Sequence, residues 1–115
     1  MSDHQIFDII PSRDADRLAE FIRQNPGSLR CRDLNGARPA HWAAYYGVGI
    51  NDPSVAYDNH CNTPGHYSAL SGRDPGTKPD KNNYGYTPQQ VFNAVSVDEK
   101  RKMMFRDPQT AECSV

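Results

Sequence analysis

Hydrophobic positions in the first quarter of the chain fall on helical spacing. Ile6, Phe7, Ile9 and Ile10 lie between Ser2 or Asp3, good N-cap types, and Pro11, which predicts a short helix over residues 4–10. Asp14 then heads a second stretch in which Ala15, Leu18, Ala19 and Ile22 recur at helical intervals, with Phe21 widening the stripe and Asn25-Pro26-Gly27 ending it. Two short antiparallel helices joined at Ser12-Arg13 are expected, followed by a polar loop over residues 30–36.

Further on, apolar residues come in brief bursts that share one layout. Arg38-Pro39-Ala40-His41-Trp42-Ala43-Ala44 is echoed by Thr63-Pro64-Gly65-His66-Tyr67-Ser68-Ala69 and by Thr87-Pro88-Gln89-Gln90-Val91-Phe92-Asn93-Ala94. The steps are 25 residues, Arg38 to Thr63, and 24 residues, Thr63 to Thr87. A turn-forming loop precedes each copy: Asp33-Leu34-Asn35-Gly36, Asp58-Asn59-His60-Cys61 and Asn82-Asn83-Tyr84-Gly85. Thr-Pro suits a helix start, because proline is preorganised at the first helical position and threonine caps the exposed amides. Thr63-Pro64 and Thr87-Pro88 fit that use, whereas Arg38-Pro39 keeps the proline and forfeits the cap. Gly36, Gly47, Gly72 and Gly85 recur where tight or left-handed backbone is needed.

This layout resembles the ankyrin-repeat family, whose signature is Thr-Pro-Leu-His-x-Ala-Ala with a glycine a few residues on and an Asp-x-x-Gly loop before it. The resemblance covers roughly residues 4–105. It implies an all-α stack of helix-turn-helix units with finger loops over residues 1–108, divided as 3–35, 36–60, 61–84 and 85–106, with 109–115 a loose tail. The family period is about 33 residues, so both measured steps fall short. The deficit lies in residues 48–57, broken by Pro53, and 73–81, which hold no apolar residue; the middle units are therefore expected to lack regular second helices. The last unit regains one: Ser96 or Asp98 caps a helix from Val97 to Phe105, carrying Met103 and Met104 and ended by Asp107-Pro108. Without second helices, Trp42, Ala43, Ala69 and Leu70 would lose their cover at about 25 cal/mol per Å² left in water. The expectation is that a partner protein covers them.

The resemblance also assigns roles. His41 and His66 would be structural, each ring registering one unit on the next, with Pro39, Trp42, Thr63, Pro64, Thr87 and Pro88 completing the motif. Partner-binding positions would be Arg32, Leu34 and Asn35 in the first finger loop, Asn59 and His60 in the second, and Asn83, Tyr84 and Tyr86 in the third, with Tyr45 and Tyr46 extending the patch. The implied function is a non-catalytic adaptor or accessory subunit that docks in a larger assembly. An inhibitor or effector that blocks another protein's site would look the same in sequence.

Composition narrows this little. A chain of 115 residues is one domain by length, and 13 basic against 14 acidic residues give no global field toward nucleic acid or membrane. The clusters Arg30, Arg32, Arg38 and Lys100, Arg101, Lys102 read as solvated faces. Hydrophobic residues make up 37% and mean hydropathy is -0.81, so the core should be thin, while six Tyr, four Phe and one Trp keep the chain out of the disordered class. No stretch is long and apolar enough to span a bilayer. Cys31, Cys61 and Cys113 are an odd number without framework spacing and no secretory signal is present, which predicts free thiols in the cytoplasm or another reducing compartment.

Candidate chemistry is sparse. His60-Cys61 with His66 close behind, and Cys31 and His41 elsewhere, are types that hold zinc, so a small zinc-stabilised domain is the alternative to a packed one. No paired ligand spacing accompanies them, and no nucleophile-elbow, Walker or dinucleotide glycine pattern is present. The expectation is no enzyme activity, no cofactor, no nucleic acid and no small-molecule substrate; the partner is another protein.

Overall fold

The chain starts its helices with the residues that satisfy orphan amides, and those residues set the boundaries. In a computed structural model, residues 3–49, 57–76 and 80–105 are described, and among them every regular element is helical. Asp14 has extended backbone and its carboxylate accepts the Arg17 amide at 3.1 Å, opening α2 (Ala15–Gln24). Before it runs a composite element: a 3-10 turn at Asp3–Gln5, α1 (Ile6–Ile9) and a second 3-10 turn at Ile10–Ser12. Pro11 does not close this element as expected. A proline at the start of a 3-10 turn forfeits an amide that had no partner to lose. The chain turns instead at Arg13, which takes a left-handed φ of 60°.

The stripe on α2 is also narrower than its spacing suggested. Leu18 and Phe21 are buried and Ile22 half-buried, whereas Ala15 and Ala19 face solvent. A 3-10 turn at Pro26–Arg30, with Ser28 fully buried, leads from α2 into the polar loop expected over residues 30–36.

Three short helices then carry the repeated motif: α3 (Pro39–Tyr46), α4 (Pro64–Leu70) and α5 (Pro88–Phe92). Each has proline in its first turn and an extended residue before it. α3 and α4 end alike. Gly47 (φ 73°) and Gly72 (φ 88°) turn left-handed, and the following amides, of Val48 and Arg73, reach back to Ala43 O and Ser68 O at 2.8 and 3.0 Å. A Cβ on Gly47 would stand 2.8 Å from the Arg73 guanidinium carbon. Only glycine lets Arg73 approach and donate to the carbonyls of Tyr45 (2.7 Å) and Tyr46 (3.4 Å), the otherwise unpaired end of α3.

Ser96 opens α6 (Val97–Met104) by accepting the Glu99 amide at 3.2 Å. This helix revises the expectation that a partner covers the backs of the middle units. Ala43, Ala69 and Leu70 are buried within the chain itself, at 2%, 0% and 8% exposure, and Trp42 is half-buried. Met104 packs with Tyr67, Ala69, Leu70 and Val91 in one core, and Lys100 Nζ donates to Ala69 O at 3.2 Å. Thus α6 covers α4 as well as its own unit. A second core gathers Ile6, Ile9, Ile10, Leu18, Phe21 and Val48. Trp42 packs against both. Residues 106–115, including Asp107-Pro108 and the expected tail, and most of the stretch around Pro53 lie outside the described residues.

Candidate functional site

The three finger loops are copies of one hydrogen-bonding device. Asp33 Oδ1 accepts the amides of Asn35 and Ala37 at 2.9 Å each. Asp58 Oδ1 accepts those of His60 and Asn62 at 2.8 Å each. Asn82 Oδ1 accepts those of Tyr84 and Tyr86 at 3.0 and 3.1 Å. An acceptor with a short side chain fits this turn, whether acid or amide. The backbone closes each loop from the other side, Asp33 N to Ala37 O (3.0 Å), Asp58 N to Asn62 O (3.1 Å) and Asn82 N to Tyr86 O (2.9 Å). The fourth residue of each is left-handed: Gly36 at 74°, Cys61 at 60° and Gly85 at 87°. Cysteine in the second loop therefore holds a conformation that glycine adopts without strain.

Neighbouring loops are joined by single rungs, Asn59 N to Asn35 O at 2.8 Å and Asn83 N to His60 O at 2.9 Å. The motif histidines add a second link. His41 Nε2 lies 2.8 Å from Asn62 O, and His66 Nε2 lies 2.8 Å from Tyr86 O. A carbonyl only accepts, so both rings carry the proton on Nε2. Their Nδ1 atoms accept the amides of Arg38 and Thr63 at 3.0 Å each, which requires an unprotonated nitrogen. Both rings are thus neutral, and burial pushes both pKa values below the ordinary histidine value, against the raising effect of those carbonyls. In the third copy Gln90 stands in place of histidine. Its Oε1 accepts the Thr87 amide at 2.8 Å while Thr87 Oγ1 accepts the Gln90 amide at 3.3 Å, a full capping box.

Beneath the loops runs a buried polar chain. Asp58 Oδ2 accepts from Tyr67 Oη at 2.7 Å and from Asn62 Nδ2 at 3.2 Å. Desolvation, then the charge and hydrogen bond of Asp58, push the Tyr67 hydroxyl well above its ordinary pKa. Asn62 Nδ2 also donates to Met104 O at 2.9 Å, and Asn82 Nδ2 donates to Asn62 Oδ1 (2.9 Å) and to Met103 O (2.7 Å). Two loop asparagines therefore satisfy the terminal carbonyls of α6, groups with no partner inside the helix.

The predicted contact residues divide on exposure. Leu34 is 101% exposed, and Asn35 and Asn59 are exposed beside it. Arg32 is exposed too, but its guanidinium bridges Gly36 O and Tyr57 O at 3.1 Å each, so it ties loops together. Tyr45, Tyr46, Asn83, Tyr84 and Tyr86 are half-buried. His60 is corrected: it is 5% exposed, its Nδ1 lies 2.8 Å from Tyr84 Oη and its ring packs edge-on against Phe105, so it supports the loop from within. Cys61 is corrected as well, being disulfide-bonded, whereas Cys31 is half-buried. The zinc cluster does not assemble. His66 uses both ring nitrogens, and among the described residues no group of three His, Cys, Asp or Glu side chains could hold a metal.

A cleft lies where the first loop meets the motif helices. Trp42, Tyr45 and Tyr46 from α3 line it with Leu70 of α4, Arg101 and Phe105 at the end of α6, and Asn35 of the first loop, enclosing about 260 Å³. Trp42 meets Tyr45 and Tyr67 edge-to-face at 5.5 and 5.2 Å, and its Nε1 donates to Asp33 Oδ2 at 2.7 Å. Arg101, Leu70 and Phe105 carry no repeat signal. The packing of α4 on α3 brings Leu70 to Tyr45 and Tyr46, and the fold of α6 onto α4 brings Arg101 and Phe105.

Comparison with protein-family models finds no match, and comparisons with curated proteins and with solved structures find none either. Among the described residues no helix is long and apolar enough to cross a membrane.

Proposed function

We propose that this chain is a protein-interaction module of the ankyrin-repeat kind, shortened in its middle units, that recognises another protein through its finger loops and the ends of its first helices. The observation that carries the reading is the threefold loop device. Identical acceptor, rung and left-handed positions present Leu34, Asn35 and Asn59 at the surface on one hydrogen-bonded ladder. Rigid presentation lowers the ordering cost of binding, which is how a thin domain reaches useful affinity. Both motif histidines are occupied structurally, so the role proposed is binding rather than catalysis.

The test is a random-peptide display library panned against the immobilised chain, with Leu34→Arg and Asn59→Arg variants as counter-selection. Enriched sequences that lose binding on both variants support the reading. No enrichment, or binders indifferent to both substitutions, overturns it.

A further inference from the structure

We propose that the cleft between α3 and α6 is an anchor pocket for an acidic peptide segment carrying a leucine or aromatic side chain, a proposal that rests on the interaction reading above. Its volume of about 260 Å³ is below the 300–1,000 Å³ usual for small-molecule sites but holds one large side chain. Its walls are the faces and edges of Trp42, Tyr45, Tyr46 and Phe105, the residue types that dominate binding energy when a partner's side chain is buried among them.

Charge selects the rest of the segment. Among the described residues Arg101 is the only charged one lining the cleft, it is exposed, and its guanidinium makes no ion pair or hydrogen bond. Asp33, which reaches Trp42 Nε1 from behind, accepts that bond and two loop amides and does not line the cleft. The Asn35 carboxamide, like Arg101, is unengaged among the described residues and can bond a peptide backbone. A guanidinium fork prefers a carboxylate, bidentate where geometry permits. An apolar side chain seated among the aromatics would place a flanking Glu or Asp beside Arg101, with peptide backbone at Asn35. The pocket exists only because α6 folds onto α4, so it belongs to this chain's own arrangement of units.

The single tryptophan of the chain lines the cleft, which makes its fluorescence the readout. The full chain is titrated with Ac-Glu-Glu-Leu-Phe-Glu-Glu-NH2, with the same peptide bearing Lys for Glu, and with AMP. Expected are a saturable change with the acidic peptide, none with the lysine peptide, and about a tenfold loss of affinity in Arg101→Gln. Arg101→Glu should reverse the preference toward the lysine peptide, an effect that mere loosening of α6 would not produce. Unchanged circular dichroism of both variants guards against unfolding. Equal binding of the two peptides, no effect of Arg101→Gln, no saturable response, or a response to AMP alone overturns the proposal. Loop-dependent binders from the display experiment in the face of any of these results would leave the interaction reading standing. Acidic-peptide binding at Arg101 without such binders would sink the finger-loop reading and keep the pocket.

Discussion

Replacing Asn82 by aspartate exchanges one NH2 for an oxygen at constant volume, so it probes the polar chain under the loops without opening a cavity. Oδ1 keeps its two loop amides, from Tyr84 and Tyr86. What is lost is both Nδ2 bonds, to Asn62 Oδ1 at 2.9 Å and to Met103 O at 2.7 Å, in a side chain 5% exposed. Two buried acceptors are stranded at about 1–3 kcal/mol each, and the new oxygen faces both of them. The substitution should therefore cost about 3–5 kcal/mol near pH 8, a large share of the 5–15 kcal/mol available to a domain.

The pH dependence separates this account from general disruption. The introduced carboxyl, facing two acceptors, has its folded pKa raised above the unfolded value near 3.9, so the folded state holds its proton over the window between the two. The variant then loses stability relative to the parent as pH rises through that window, because protonation restores one donor. Urea unfolding of parent and Asn82→Asp at pH 5 and pH 8, followed by far-ultraviolet circular dichroism, measures both effects. A difference under about 1 kcal/mol at pH 8, or the same difference at both pH values, would refute the reasoning.

The parent itself should behave oppositely. His41 and His66 have depressed folded pKa values, so below pH 6.5 the unfolded state binds protons that the folded state refuses; their stabilisation is complete above that pH and falls as pH drops, by up to about 1.4 kcal/mol per unit for each histidine, measurable as the urea midpoint from pH 7.5 to 5. Gly47→Ala should cost about 2 kcal/mol in the same assay, since a Cβ at φ 73° is strained and displaces Arg73 from the end of α3. Arg13→Gly, at an exposed position with φ 60°, should instead raise stability by about 0.5 kcal/mol; a loss would mean the Arg13 side chain contributes something its exposure hides. Because α6 covers Ala69 and Leu70 internally, the isolated chain should unfold in one cooperative step with little binding of a hydrophobic dye beforehand, and strong dye binding at neutral pH would return those faces to solvent.

What was legible in the sequence is what depends on near neighbours. Asp14, Ser96 and Thr87 could be read as caps because a capping bond reaches three residues on, and Gly36, Gly47, Gly72 and Gly85 as left-handed because a missing Cβ is visible in a single letter. The loop spacings of 25 and 24 residues placed the motif helices for the same reason. The destination of α6 was not legible. Its anchors are Asn62 and Asn82, separated from Met104 and Met103 by 42 and 21 residues, and an asparagine in a loop looks alike whether it faces water or a helix end. His60 was misplaced for a related reason: the ring that buries it, Phe105, arrives with α6.

That one misreading carried through to function. If the first helices had bare backs, recognition would be completion: a partner would bind by covering apolar surface, and the chain would depend on it to fold. With α6 in place, the apolar faces of α4 are spent internally, and what remains for a partner is a set of side chains held outward on a finished scaffold. Binding of that kind is selective rather than structural. On the reading proposed above it would be set by the exposed Leu34 and Asn59 along the loops and by Arg101 at an aromatic cleft, none of which belongs to either hydrophobic core, so loss of binding and loss of fold become separable measurements.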